Sequence, residues 1–184
     1  CCAVRSELYR EIPATGDVDF TTPLDVCLQG FDCVHVESAL AYDEMPSNEA
    51  NELKARVRMT SKNFLGTLGR WGVQGFFRRP VLSWVILSHK YGRWITPWLL
   101  LLTLLTSVTS LLQIGGPMLV FIVSAQVVFY ALGLAGWLKI SLPLAGSIYS
   151  FLLANYGMFL GVVKVIKGEV KASYTPIRNE PVKK

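Results

Sequence analysis

Residues 95–113 read ITPWLLLLTLLTSVTSLLQ, residues 117–138 read PMLVFIVSAQVVFYALGLAGWL, and residues 142–166 read LPLAGSIYSFLLANYGMFLGVVKVI. Between Ile95 and Val163 the one formal charge is Lys139. At 1.5 Å rise per residue, each run is long enough to cross a hydrocarbon layer about 30 Å thick. The spacing predicts three spanning helices, with Gly115-Gly116-Pro117 and Lys139-Ile140-Ser141 as the breaks between them. Hydrophobic residues make up 52% of the chain and charged residues 17%, a balance that would leave a soluble domain of this size covered in apolar surface.

Outward from this block the chain changes character. Residues 75 to 94 mix Phe77, Val81, Trp84 and Val85 with Arg78, Arg79, His89, Lys90 and Arg93. That is too charged to span, and residues 73–94 are expected to form an amphipathic helix in the headgroup plane, with Trp94 and Trp98 marking the entry to the first crossing. Ser88-His89-Lys90 with Arg93 reads as an interfacial anchor, because no acid or second His accompanies it. The net charge of +5 comes from basic clusters flanking the apolar block, where anionic headgroups account for them without nucleic acid. Residues 167–184 form a basic tail. Three crossings from a cytoplasmic N-terminal part would put that tail outside, against the positive-inside rule; the expectation is a cytoplasmic tail and one imperfect span. Gly157-Met158-Phe159-Leu160-Gly161 is a small-xxx-small pattern, suited to close helix packing within the chain.

Residues 1–72 alternate between local signals. Residues 3 to 12 read as the end of a strand, at 3–5, running into a short helix at Ser6–Arg10. Phe20, Leu24, Cys27 and Leu28 recur at helical spacing, with Gly30 placed as the C-cap. Cys33-Val34-His35-Val36 reads as a strand, and 48–68 as a helix capped by Ser47 or Asn48 with Glu49 and Glu52 in its first turn. The cysteines at 1, 2, 27 and 33 form no CxxC pair and read as reduced thiols. Zinc bound by Cys27, Cys33 and His35 would have at most three ligands.

Several short motifs come in a fixed order: Arg5-Ser6-Glu7-Leu8-Tyr9, Asp19-Phe20-x-x-Pro23-Leu24, Gln29-Gly30-Phe31, Ala39-x-Ala41-x-x-Glu44, Arg56-Val57-Arg58-Met59, and Ser88-His89-Lys90-x-x-Arg93-Trp94-x-x-Pro97. In that order the chain resembles the C-terminal half of membrane-bound family 2 glycosyltransferases, the group of cellulose, hyaluronan and poly-N-acetylglucosamine synthases. The likeness covers residues 3 to 112. It implies an α/β fold class, the C-terminal part of a GT-A-type nucleotide-sugar domain, followed by about three transmembrane helices. It implies an inverting transfer from a nucleotide-sugar donor to a growing polysaccharide or a lipid-linked acceptor at a plasma or inner membrane, the catalytic part being cytoplasmic.

The resemblance also implies roles for particular residues. An acid opening the acceptor helix takes the proton of the acceptor hydroxyl, a poor nucleophile until a carboxylate within reach receives that proton. Asp19 lies eleven residues before Gly30, the family's spacing, and Asp17 is the alternative. The family's Gln-x-x-Arg-Trp matches Ala55-Arg56-Val57-Arg58-Met59, where Arg58 keeps the cation and, with Arg56, is expected to bind the departing diphosphate. The Gln and Trp are replaced by Ala55 and Met59, which weakens the grip on a long polymer. Thr67-x-x-Arg70-Trp71 lies too late to be the motif. A divalent ion, magnesium or manganese, is implied too, with its ligands and the donor site in a half preceding Cys1; the fragment is expected to be inactive alone. The rival reading is a non-enzymatic membrane subunit or small transporter with a cytoplasmic interaction module.

Overall fold

The computed structural model describes residues 2–13, 15–41 and 49–170. A 3-10 turn at Ser6–Leu8 is followed by helices α1 (Val18–Leu28) and α2 (Glu49–Gly66), a π-helical turn (Thr67–Trp71), and short helices α3 (Gly72–Arg78) and α4 (Pro80–Ile86). A second π-helical turn (Leu87–Tyr91) runs directly into α5 (Gly92–Gln113), and α6 (Pro117–Trp137) and α7 (Ala145–Ile166) complete the described chain.

Among the described residues there is no strand, and this overturns the expected α/β class with its nucleotide-sugar domain. The two segments read as strands, 3–5 and 33–36, both line one cleft of about 760 Å³, and neither belongs to a ladder. An extended segment without a neighbour to exchange N–H···O=C bonds is not a strand, whatever its β-branched content. Val34 is left 84% exposed.

Local chemistry sets the helix ends. Gly30 adopts φ +97°, and behind it the N–H groups of Gly30 and Phe31 donate to the carbonyls of Cys27 and Val26, closing α1 in the manner of a Schellman cap. Asp17 holds the N-cap position of α1 without a side-chain capping bond, and Asp19 sits in the first turn. Glu49 and Glu52 face the positive end of the α2 dipole. The cap assigned to Ser47 or Asn48 lies outside the described residues. Arg79, extended before Pro80, separates α3 from α4, and Pro80 and Pro117 take first-turn positions where a missing N–H costs nothing.

A small core ties α1 to the chain leading into the membrane block. Trp71 is buried against Leu24 and Ile86; its Nε1–H donates to Ser83 Oγ at 2.9 Å, and that hydroxyl donates to the Gly75 carbonyl at 3.0 Å. Burying the indole with its N–H paired avoids the penalty of a stranded donor. Phe64 at the end of α2 meets Trp94 at 5.0 Å and Tyr91 at 6.3 Å between ring centroids, which joins α2 to the start of α5.

Among the described residues three helices are long and apolar enough to cross a membrane, Pro80–Gln113, Pro117–Trp137 and Ala145–Ile166, and they support reading a membrane protein. Residues 73–94 are distributed over α3, α4 and the turn that continues into α5. Ser107 Oγ donates to Gln126 Oε1 at 3.0 Å between α5 and α6, and Gly133 and Gly136 let Leu152, Tyr149 and Ala145 of α7 lie directly on α6.

The most extensive packing joins α2 to α7. Tyr149 Oη donates to Glu49 Oε2 at 2.7 Å, and farther along the two helices Gly157 faces Leu53 and Arg56 and Gly161 faces Val57 and Thr60. The two helices therefore run in the same direction. A Cβ at Gly161 would fall 2.7 Å from Thr60 Cβ and 3.0 Å from the Val57 carbonyl oxygen, whereas one at Gly146 meets nothing within 4 Å. Gly161→Ala is expected to force the helices apart and cost about 1–3 kcal/mol. In thermal melts followed by circular dichroism in detergent, its midpoint falls by several degrees while Gly146→Ala holds or rises; equal midpoints would contradict this packing.

Candidate functional site: a cationic groove between α2 and α7

The parallel pairing of α2 with α7 leaves a groove of about 1050 Å³ beside the middle of α2 and the C-terminal end of α7. Lys54, Arg58 and Lys62 enter it from α2, spaced by four residues so that they share a helix face. Lys164 and Lys167 enter from α7 and its C-cap. Among the described residues Glu169 is the one acid on the lining, and Leu53, Val57, Leu160 and Val163 give it an apolar floor. Five cations against one carboxylate set a strongly positive potential in a partly enclosed space, where charge is screened less than on an open surface. Such a groove accepts a polyanion, and its floor accepts a hydrocarbon segment beside it.

The expected site residues fall into different places. Arg58 lines the groove. Arg56, two residues away, turns to Glu52 on its own helix, with Nη2 and Nε at 2.6 and 3.0 Å from Oε1, and its Cβ abuts Gly157. An exposed pair of this spacing is worth only about 0.3–0.5 kcal/mol, so a stronger anion can draw Arg56 away. Asp19 is exposed at the start of α1, with the Cys2 thiol 3.9 Å from its Oδ1, and is not on the groove lining. Helix α1 touches α2 at Thr21 against Gly66, about 12 Å along α2 from Arg58. The structure thus does not bring Asp19 and Arg58 into one pocket. Asp17 acts electrostatically on Lys90, whose Nζ lies 4.4 Å from the centre of the Phe20 ring.

Sequence reasoning placed Lys164 at the end of the third apolar run and Lys167 in the basic tail, and missed them, with Lys62, as partners of Arg58. The small-xxx-small spacing of Gly157 and Gly161 was the one available signal, since it marked the α7 face that another helix would cover. A second, smaller cleft of about 440 Å³ is lined by Arg10, Arg78, Gln29 and the buried Asp25. Ser88 donates its hydroxyl to the Trp84 carbonyl at 2.9 Å, and His89 is exposed.

No group of three His, Cys, Asp or Glu converges among the described residues, so the divalent ion implied by the resemblance has no ligand set here and no step is drawn through one. Cys27 and Cys33 do approach, with sulfurs 4.0 Å apart, but no third ligand completes a zinc site. Comparison with protein-family models, with curated proteins and with solved structures finds no match to this chain.

Burial, reinforced by the neighbouring Cys33, pushes the Cys27 thiol up to about 11. Raising a thiol's pKa keeps it protonated at neutral pH, and the thiolate is the reactive form. Iodoacetamide is therefore expected to modify Cys27 slowly near neutral pH, its rate climbing about tenfold per pH unit until close to pH 11. Peptide mass spectrometry across a pH series checks this; a plateau near pH 9 would contradict it.

Proposed function

We propose that this chain forms part of a membrane-bound glycosyltransferase, with the α2–α7 groove as the site for the diphosphate of the substrate or leaving group. The observation that carries the reading is the convergence of Arg58 with Lys54, Lys62, Lys164 and Lys167. Departure of a nucleoside diphosphate leaves charge on its oxygens, and fixed cations in a partly dry groove stabilise that charge as it develops. A planar guanidinium suits two oxygens at once, the ammonium groups supply point charges around it, and Arg56 becomes a further donor if it releases Glu52. The ordered motifs from Arg5 to Pro97 support the same reaction class, in which Asp19 receives the acceptor's proton while the anomeric carbon is attacked in line.

A second reading, a non-enzymatic membrane subunit whose groove holds lipid headgroups, is favoured by the absence of Asp19 from the groove lining. The two differ in turnover. With the full-length protein in membranes, release of nucleoside diphosphate from a panel of nucleotide sugars is expected to fall about 10²-fold in Arg58→Ala, with partial recovery in Arg58→Lys, and about 10²-fold in Asp19→Asn. Unchanged rates in Arg58→Ala would remove the groove from the reaction. No turnover of any donor by the wild type would leave the non-enzymatic reading.

A further inference from the structure

We infer that α7, though long and apolar enough to cross a membrane, lies along the bilayer surface, so that of the described helices only the α5–α6 hairpin enters the bilayer. Suppose α5 and α6 both cross. The Ser107–Gln126 hydrogen bond fixes their antiparallel register, and Trp98 and Gly136 then lie about 14 and 15 Å from it toward the same bilayer face. Helix α7 touches both places. Its Ala145 and Tyr149 lie on Gly136, and its Phe159 ring packs 4.6 Å from the Trp98 ring between centroids. Ala145 and Phe159 are separated by about 21 Å along α7. A third transverse helix beginning beside Gly136 would carry Phe159 deep into the hydrocarbon and away from Trp98; holding both contacts requires α7 to run along that face.

The charge pattern selects α7 rather than α5 as the helix that stays out. Helix α2 lies on α7 from Tyr149 to Gly161 and carries Glu49, Glu52, Lys54, Arg56, Arg58 and Lys62. Ionised side chains at bilayer depth without a protein or water shell are strongly disfavoured, and among the described residues no helix of comparable polarity covers α5. Helix α7 is also the least apolar of the three candidates. Its Phe151, Tyr156 and Ile166 remain exposed while α2 covers another face, the division expected of an amphipathic helix seated in the headgroup layer. The partner of this surface is an anionic lipid layer, which the groove's cations face at headgroup depth. Two crossings also return the basic tail to the side of α1 and α2, as the positive-inside rule requires.

The test uses the full chain with its four cysteines replaced by Ala, in sealed vesicles of phosphatidylcholine and phosphatidylglycerol holding the protein in one orientation. Val34→Cys reports the side of α1, Ile114→Cys the α5–α6 turn and Glu169→Cys the end of α7; all three positions are exposed. With a membrane-impermeant maleimide, Glu169→Cys is expected to label with Val34→Cys and opposite to Ile114→Cys, all three reacting after detergent solubilisation. Labelling of Glu169→Cys with Ile114→Cys would overturn the inference. Protease access to a tag fused after Lys184, on the chain with its native cysteines, reads the same question independently: cleavage from the Val34 side supports it, and cleavage only from the other side overturns it.

Discussion

The close approach of α2 to α7 is the constraint on which the rest of the molecule turns. Two glycines one helical turn apart, Gly157 and Gly161, bring the backbones near enough for Arg56, Val57 and Thr60 to rest on α7. That contact aligns two sets of cations about a hundred residues apart in sequence, and the groove exists because of it. It also ties a charged helix to an apolar one. Carrying each uncompensated charge to the middle of a bilayer costs roughly 3 kcal/mol on insertion scales. Helix α2 carries six ionisable side chains, among them the Arg56–Glu52 pair, and the cost of taking them to that depth opposes what the apolar surface of α7 gains in hydrocarbon once α2 is docked on it. The docking therefore decides both where the groove is and at what depth it sits.

The aromatic contacts work with this constraint. Phe64, Tyr91 and Trp94 fasten the far end of α2 to the start of α5, and Trp98 fastens α5 to α7. The α2–α7 unit is thus fixed at the place where α5 enters the apolar layer, with Trp rings at the level they favour. A polyanionic substrate held in the groove would have its charged part at the membrane surface and any hydrocarbon part beside the floor of Leu160 and Val163.

The helices were legible because their signals are local. The glycine after α1, the acids opening α2, the Gly-Gly-Pro break before α6 and the apolar runs each depend on neighbours within a turn or two. The strand at Cys33–Val36 was misread for the same reason: β-branched residues announce compatibility with a sheet, but a sheet needs a second strand, and among the described residues none pairs with it. Arg58 was legible as a cation at a matched position. Its companions Lys164 and Lys167 were not, since nothing in a single sequence states that α7 returns to α2. Gly157 and Gly161 announced a close contact without naming the partner, and Asp19 gave no sign that its helix packs at the C-terminal end of α2, beyond the groove.

The measurement that tests the account most directly is the orientation of each helix in aligned bilayers by solid-state NMR, with ¹⁵N-labelled leucine and valine reporting α5, α6 and α7 separately. The account predicts that amides of α5 and α6 resonate as bonds along the bilayer normal, while those of α7, Leu152, Leu153 and Val162 among them, resonate as bonds in the bilayer plane. Finding all three helices along the normal would contradict it.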